Sequence, residues 1–255
     1  MFARLGVLAY GVACYAVFFA TFLYAVGFVG GFGVSTTLDG AAVGSMAATL
    51  TVNLGLLALF AVQHSLMARP AFKRTWTRIV PEPMERSTYV LASSLALILL
   101  FALWCPMGGV VWDVTNPLGR GLLHAVFAAG WLTVLGSTFL IDHFDLFGLR
   151  QVWLYFRGLP YTYLPFRTPG PYQWVRHPLY VGWLLAFWAT PTMTIAHLVF
   201  AVMTTAYILV AIRFEERDLE ALHGVTYRRY RDRVPMLVPR PTRRAGTGVT
   251  LGART

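Results

Sequence analysis

The chain has 255 residues, 57% of them hydrophobic and only 13% charged, where a soluble domain carries roughly a quarter charged residues. So much apolar surface excludes an ordinary water-soluble domain and calls for lipid as its cover. Net charge is +10 and comes almost wholly from arginine, Lys73 being the single lysine among 21 basic residues; these lie between apolar runs rather than along one face, which argues against nucleic-acid binding.

Apolar runs cover about 5–30, 41–67, 88–105 and 120–141, with a shorter one at 178–190 and a last one at 195–214. A helix that crosses the hydrocarbon core needs roughly 20 such residues. The run at 178–190, followed by Pro191, falls short and is expected to tilt, insert halfway or pack inside the protein. The reading is therefore an all-α, polytopic helical membrane protein with five or six spans. Arg4 ahead of the first run resembles a signal peptide, but the run is too long for one and is read as an uncleaved anchor.

Basic residues alternate between connections. Five lie in 68–87, four in 142–177 and ten in 213–255, against none in 31–40 or 191–197 and only Arg120 in 106–120. The positive-inside bias then predicts both termini on the cytoplasmic side of a six-span chain. Segment 150–175 is rich in Pro, Gly, Tyr and Phe, which argues against a regular helix. The Arg/Gly/Thr-rich stretch 241–255 is expected to be a disordered tail, leaving 1–240 as a single domain. Cys14 and Cys105 have no metal-ligand spacing and say nothing about redox compartment.

Chemistry concentrates in Arg176-His177-Pro178-Leu179-Tyr180-Val181-Gly182. Pro178 suits the first position of a helix, and the residue before it is driven out of helical geometry. The free N–H groups of the new helix make an anion site, to which Arg176 adds a charge-assisted pair. Gly182 permits close approach of a ligand or of another helix. A second cluster follows the last run: Glu215, Glu216, Leu219, Leu222, Gly224, Tyr227, Tyr230, Val234 and Pro235. Leu219 and Leu222 share a helix face, Gly224 is a C-cap, and Tyr227 and Tyr230 are spaced i, i+3 on a short helix after it. Taken alone, the paired carboxylates between Arg213 and Arg217 also fit a solvated helix end.

The combination R-H-P-x-Y-x-G, a membrane hairpin, E-E-x-x-L, G-x-x-Y-x-x-Y and V-P resembles the isoprenylcysteine carboxyl methyltransferase superfamily over about 170–240. From about 50 to 240 the chain looks still more like that superfamily's bacterial methanethiol S-methyltransferases, through Phe60-Ala61-Val62-Gln63-His64-Ser65, Glu85-Arg86-Ser87-Thr88-Tyr89-Val90 and Asp142-His143-Phe144-Asp145-Leu146-Phe147-Gly148. The resemblance implies methyl transfer from S-adenosylmethionine to methanethiol, giving dimethyl sulfide, in a bacterial inner membrane. It implies a cofactor-binding part at about 142–240. Arg176, His177, Tyr180 and Gly182 would line the cofactor pocket, Glu215 or Glu216 would meet its ribose or ammonium end, and Tyr227 and Tyr230 would support that wall.

An alkyl thiol is mostly protonated at neutral pH, and the thiolate is the nucleophile, so a proton acceptor is expected. His143 is the first candidate, with Asp142 and Asp145 as carboxylates that orient it and raise its basicity. His64, Glu215 and Glu216 are the others. Asn53, Gln63 and His124 are read as helix-packing hydrogen bonders. A metal site from His64, His143 and His177 lacks a recognisable ligand spacing, and none is expected. Neither a nucleic-acid nor a protein partner is inferred beyond a small thiol and membrane lipid. The competing readings are a carboxyl or lipid methyltransferase of the same superfamily and a non-catalytic transporter or membrane subunit; the crowding of ionisable residues at one face and the lack of an internal repeat disfavour transport.

Overall fold

The computed structural model describes residues 1–239; the tail expected at 241–255 lies outside the described residues. Five long apolar helices follow from the five long runs: α1 (Phe2–Gly30), α2 (Met46–Ala68), α4 (Glu82–Leu103), α5 (Pro117–Ile141) and α9 (Ile195–His223). Short helices α3 (Pro70–Trp76), α6 (His143–Leu146), α7 (Leu149–Arg157), α8 (Pro178–Trp188) and α10 (Val225–Arg233) fill the connections. The chain is an integral membrane protein.

Local chemistry sets the helix ends. Ser45, Asn116 and Thr194 cap α2, α5 and α9 by accepting the backbone N–H groups of Ala48, Gly119 and His197. Gly31, at φ 74, closes α1 with its N–H on the carbonyl of Gly27. Acidic Glu82 and Glu85 lie in the first turn of α4, where they complement the helix dipole.

The sixth run makes a crossing of mixed construction. At 1.5 Å per residue α8 is only about 16 Å long, against a core of about 30 Å. Strand β2 (Thr192–Thr194) nevertheless pairs antiparallel with β1 (Val110–Asp113), opposing Val110 to Thr194 and Asp113 to Thr192. Since β1 joins α4 to α5, β2 lies at the face opposite His177. The half-length helix and the extended residues after it thus complete a sixth passage. Asp39 fastens this face, accepting from Thr194 Oγ1 at 2.5 Å and facing His197 Nδ1 at 3.2 Å.

α8 is held against α5, and α4 packs between α1 and α2. Gly182 explains the first of these contacts: a Cβ there would stand 2.8 Å from the carbonyl oxygen of Gly130, and one at Gly130 would stand 2.6 Å from the backbone nitrogen of Ala186. The two backbones touch because both positions lack a side chain. Gly182 is therefore a helix-crossing residue and is absent from the lining of the large cavity described below, contrary to the expected place in a cofactor pocket. Asn53 does pack helices, bonding both the N–H and the carbonyl of Cys105, whereas Gln63 bonds Met67 on its own helix.

Segment 150–175 departs from expectation at its start. Residues Leu149–Arg157 form the amphipathic helix α7 between Gly148 and Gly158, both in left-handed conformation. Beyond it the chain is irregular until the 3-10 turn Gly170–Gln173.

Candidate active site

A cavity of about 2020 Å³ runs between α1, α2, α4, α5, α8 and α9, well above the roughly 300–1,000 Å³ of ordinary ligand pockets. Its inner arm is apolar, lined by Phe22, Ala25, Phe101, Trp183, Phe187 and Phe200. At the other end the polar residues of the two sequence clusters converge.

Arg176 holds that end together. Its Nε donates to Glu216 Oε1 at 2.7 Å, and its Nη1 donates to the carbonyls of Arg231 at 2.9 Å and Val234 at 2.6 Å. One guanidinium thus ties the loop before α8 to α9 and to the last carbonyls of α10. The backbone repeats the link, since Arg176 and His177 donate N–H groups to the carbonyls of Pro235 and Met236. This gives the V-P element a physical role. It also alters the expected role of Arg176: Nε and Nη1 are committed inside the protein rather than offered to a ligand carboxylate.

The adjacent carboxylates diverge. Glu216 accepts from Arg176 and contacts His177 Nε2 at 3.0 Å, with its side chain 16% exposed. Glu215 lines the cavity with its side chain 44% exposed, 3.9 Å from His177 Nδ1. Neighbours on a helix point about 100° apart, and of these two only Glu215 lines the cavity. His177, Tyr180 and Arg176 line it as well.

α10 closes this wall. Gly224, at φ 54 and ψ −125, ends α9 and starts α10 in a conformation that suits glycine. Tyr227 is buried, and its hydroxyl has no hydrogen-bond partner among the described residues. Tyr230 donates to the carbonyl of Tyr172 at 2.6 Å, and Phe166 packs edge-on against both α10 tyrosines. Burial pushes the hydroxyls of Tyr227 and Tyr172 above the ordinary tyrosine range and that of Tyr230 up to about 12. All three therefore stay protonated as donors at neutral pH.

His143 lies on the cavity wall 2% exposed, but its setting differs from expectation. Thr138 Oγ1 donates to the carbonyl of Leu135 and so accepts from His143 Nδ1 at 2.8 Å; Nε2 then accepts from the Tyr15 hydroxyl at 2.7 Å. Among the described residues no carboxylate bonds the ring. Asp142 (φ 128) breaks the chain direction after α5, and its side chain caps α6 at Asp145 N. Asp145 pairs with Arg150 at 2.9 Å and receives Gln151 and Tyr161. The expected Asp–His pairing is replaced by two hydroxyls, and burial lowers the basicity of His143 instead of raising it.

That depression has a thermodynamic consequence. A histidine whose folded pKa lies below its unfolded value of about 6.5 contributes stability above that pH and loses it as pH falls. Thermal unfolding in detergent should show the parent losing more Tm between pH 7 and pH 5 than a His143→Gln variant. Parallel curves would refute the neutral, buried assignment.

His64 lies on the opposite wall with Tyr89, Ser93 and Tyr207. Among the described residues no three His, Cys, Asp or Glu side chains are grouped to hold a metal ion.

The Isoprenylcysteine carboxyl methyltransferase (ICMT) family model matches residues 164–221, which span the Arg176 turn, α8 and most of α9. Methanethiol S-methyltransferase of Crocosphaera subtropica is 57% identical over 237 residues, covering 93% of each chain. That of Mycobacterium tuberculosis is 56% identical over 234 residues, covering 92% of this chain and 96% of its own. The chain belongs to the methanethiol S-methyltransferase family. Methanethiol S-methyltransferase 2 of Bradyrhizobium diazoefficiens is 55% identical over 240 residues, covering 94% and 92%. No solved structure matches the chain.

For a member of this methyltransferase family, several cavity residues receive no site role in the sequence reading: Tyr89, which enters only in a stretch that carries the resemblance, and Ser93, Tyr172 and Phe166. Tyr89 and Ser93 have a readable trace, because polar residues four apart inside an apolar run share one helix face. Tyr172 and Phe166 sit in irregular chain and carry no such signal.

Proposed function

We propose that the protein is an S-adenosylmethionine-dependent thiol methyltransferase that converts methanethiol to dimethyl sulfide by direct in-line transfer. The observation that carries this reading is one continuous cavity with a polar, aromatic end and an apolar arm. The polar end fits the donor by two groups: the half-exposed Glu215 carboxylate facing the cavity, and the buried hydroxyl of Tyr227, which has no hydrogen-bond partner among the described residues. A built pocket that leaves such a hydroxyl unpaired implies a ligand that pairs it.

When bound, S-adenosylmethionine supplies a methyl group on a positively charged sulfur. Glu215 offers a carboxylate to the donor's ammonium or ribose hydroxyls. The first amides of α8, which start behind Pro178, favour its carboxylate. Glu216 fixes His177 and Arg176, so the wall is set before the donor arrives. Trp183 and Phe187 keep water from the apolar arm, where a thiolate facing a cation is attracted far more strongly than in water. Alignment of the two reactants supplies several kcal/mol more. By the distribution of basic residues this polar end faces the cytoplasm, with both termini on that side of the inner membrane.

Headspace gas chromatography on purified, detergent-solubilised protein tests the reading. Dimethyl sulfide should appear only when S-adenosylmethionine and methanethiol are both present. Donor binding without dimethyl sulfide would move the acceptor to a lipid or carboxyl compound; absence of donor binding would remove the methyltransferase assignment altogether.

A further inference from the structure

The wall between α2 and α4 carries a chain of polar groups that donor binding does not require. Ser93 Oγ donates to the carbonyl of Tyr89 at 2.9 Å, one turn back. Toward His64 Nδ1, 3.1 Å away, it is therefore an acceptor, which puts the ring proton on Nδ1. The free lone pair of His64 sits on Nε2, and the Tyr89 hydroxyl lies over the ring, 2.9 Å from Nε2 and 3.1 Å from Nδ1, one small ring rotation from that lone pair. Phe60 stacks on the imidazole with ring centroids 5.2 Å apart and holds its plane.

His143 has the same pattern of hydroxyl, imidazole and tyrosine, with Thr138 and Tyr15 as its partners. The two arrangements differ where it matters for a reaction. Tyr89 lines the cavity alongside His64, whereas Tyr15 is not part of the cavity lining. A thiol in the cavity therefore meets the tyrosine of one arrangement and not that of the other.

We propose that Tyr89 takes the thiol proton through a Tyr89–His64–Ser93 relay, with Tyr89 and His64 catalytic and Ser93 positioning the ring. The inference rests on the methyl-transfer reading above. The S–H bond of the thiol breaks and its proton passes to the Tyr89 oxygen, while the Tyr89 proton passes to His64 Nε2. The sulfur electron pair forms the new S–CH3 bond as the donor's sulfonium–CH3 bond breaks, its electron pair staying on the donor sulfur. One positive charge thus moves from sulfonium to imidazolium, and the imidazolium later gives its proton to water. An alkyl thiol that titrates above about 8.5 is less than about three per cent ionised at pH 7, so this step has a large factor to supply.

The basic groups around the relay favour a transient thiolate and oppose a lasting imidazolium, so His64 has to pass its proton on to water. Arg86 places its guanidinium carbon 5.3 Å from the centre of the Tyr89 ring. Arg69 and Lys73 also line this side of the cavity, paired with Asp218 and Glu85 respectively. From α9 Tyr207 bonds Ser65, and from α8 Tyr180 lines the same space.

The test is the pH dependence of dimethyl sulfide formation from pH 6 to 10 at saturating donor, with donor affinity measured by calorimetric titration. Tyr89→Phe keeps the ring and removes the hydroxyl. Its kcat should fall on the order of 100-fold at pH 7, recover toward pH 10 as the thiol ionises unaided, and leave donor affinity within about twofold. His64→Gln should show the same recovering profile and serves as the second variant if Tyr89→Phe does not fold. Ser93→Ala should lose roughly tenfold and Ser93→Thr should restore most of it. A parent-like kcat in Tyr89→Phe, or a loss that is constant across pH, overturns the relay. A recovering profile in His143→Gln but not in His64→Gln does the same, moving the acceptor to the Tyr15 arrangement. A parent that makes no dimethyl sulfide in this assay marks a failure of the underlying reading instead.

Discussion

Arg176→Ala is expected to weaken donor binding more than tenfold by releasing α10 from the rest of the protein. The side chain is 12% exposed and makes three hydrogen bonds, one to Glu216 and two to carbonyls at the end of α10. Removing one partner of a buried ion pair costs about 3–5 kcal/mol, because the other charge is left without compensation. Glu216 would be stranded beside His177, and the carbonyls of Arg231 and Val234 would lose their donor. The wall that carries Tyr227 and Tyr230 depends on that anchor, so donor affinity should fall more than tenfold together with the unfolding temperature. Arg176→Lys should recover little of either, since a single ammonium cannot match a fork that donates in three directions. Paired thermal unfolding and calorimetric titration check this. Weaker donor binding with an unchanged Tm would return Arg176 to the simple role of ligand-carboxylate partner.

The long-range half of this arrangement explains what was readable in the chain and what was not. Apolar runs predict α1, α2, α4, α5 and α9 because each helix must cover a fixed thickness of lipid, a requirement that acts on every residue in the run. The short α8 crossing was ambiguous for the same reason: eleven helical residues do not span, and only the pairing of β2 with β1 reveals how the passage is finished. α7 went unread because the Pro, Gly and aromatic content of 150–175 averages over it, although Gly148 and Gly158 bracket it as caps.

At the site, residue types were legible but partners were not. R-H-P and E-E announce charges at one face, yet forty positions separate Arg176 from Glu216, and nothing local says which of two adjacent carboxylates it meets. Gly182 admitted a ligand or a helix, and the choice depends on Gly130 in a different span. His143 stands next to Asp142 and near Asp145 in sequence, but the left-handed backbone at Asp142 turns both carboxylates to other work. Sequence neighbours of a helix end are poor guides to its contacts, because one unusual φ value redirects every side chain that follows.

Glu215 and Glu216 turn that ambiguity into a sharp comparison, since two identical side chains one residue apart are assigned opposite jobs. Glu216 is enclosed by Arg176 and His177 and acts within the fold. Glu215 faces the cavity with its side chain 44% exposed and 3.9 Å from His177 Nδ1, so its carboxylate is accessible to a bound donor. A hydrogen bond to a charged group contributes about 1.5–3 kcal/mol, which corresponds to roughly a ten- to hundredfold change in affinity. Glu215→Gln should therefore weaken S-adenosylmethionine binding by about that factor with little change in Tm. Glu216→Gln should lower Tm first and weaken the donor only as a consequence, because it leaves the buried Arg176 without its counter-charge. Both variants conserve shape and change one charge, so differences in packing do not confuse the comparison. If Glu216→Gln lost donor affinity at an unchanged Tm while Glu215→Gln resembled the parent, the two assignments would have to be exchanged, and the donor's polar end would lie on the α10 side of the Arg176 anchor.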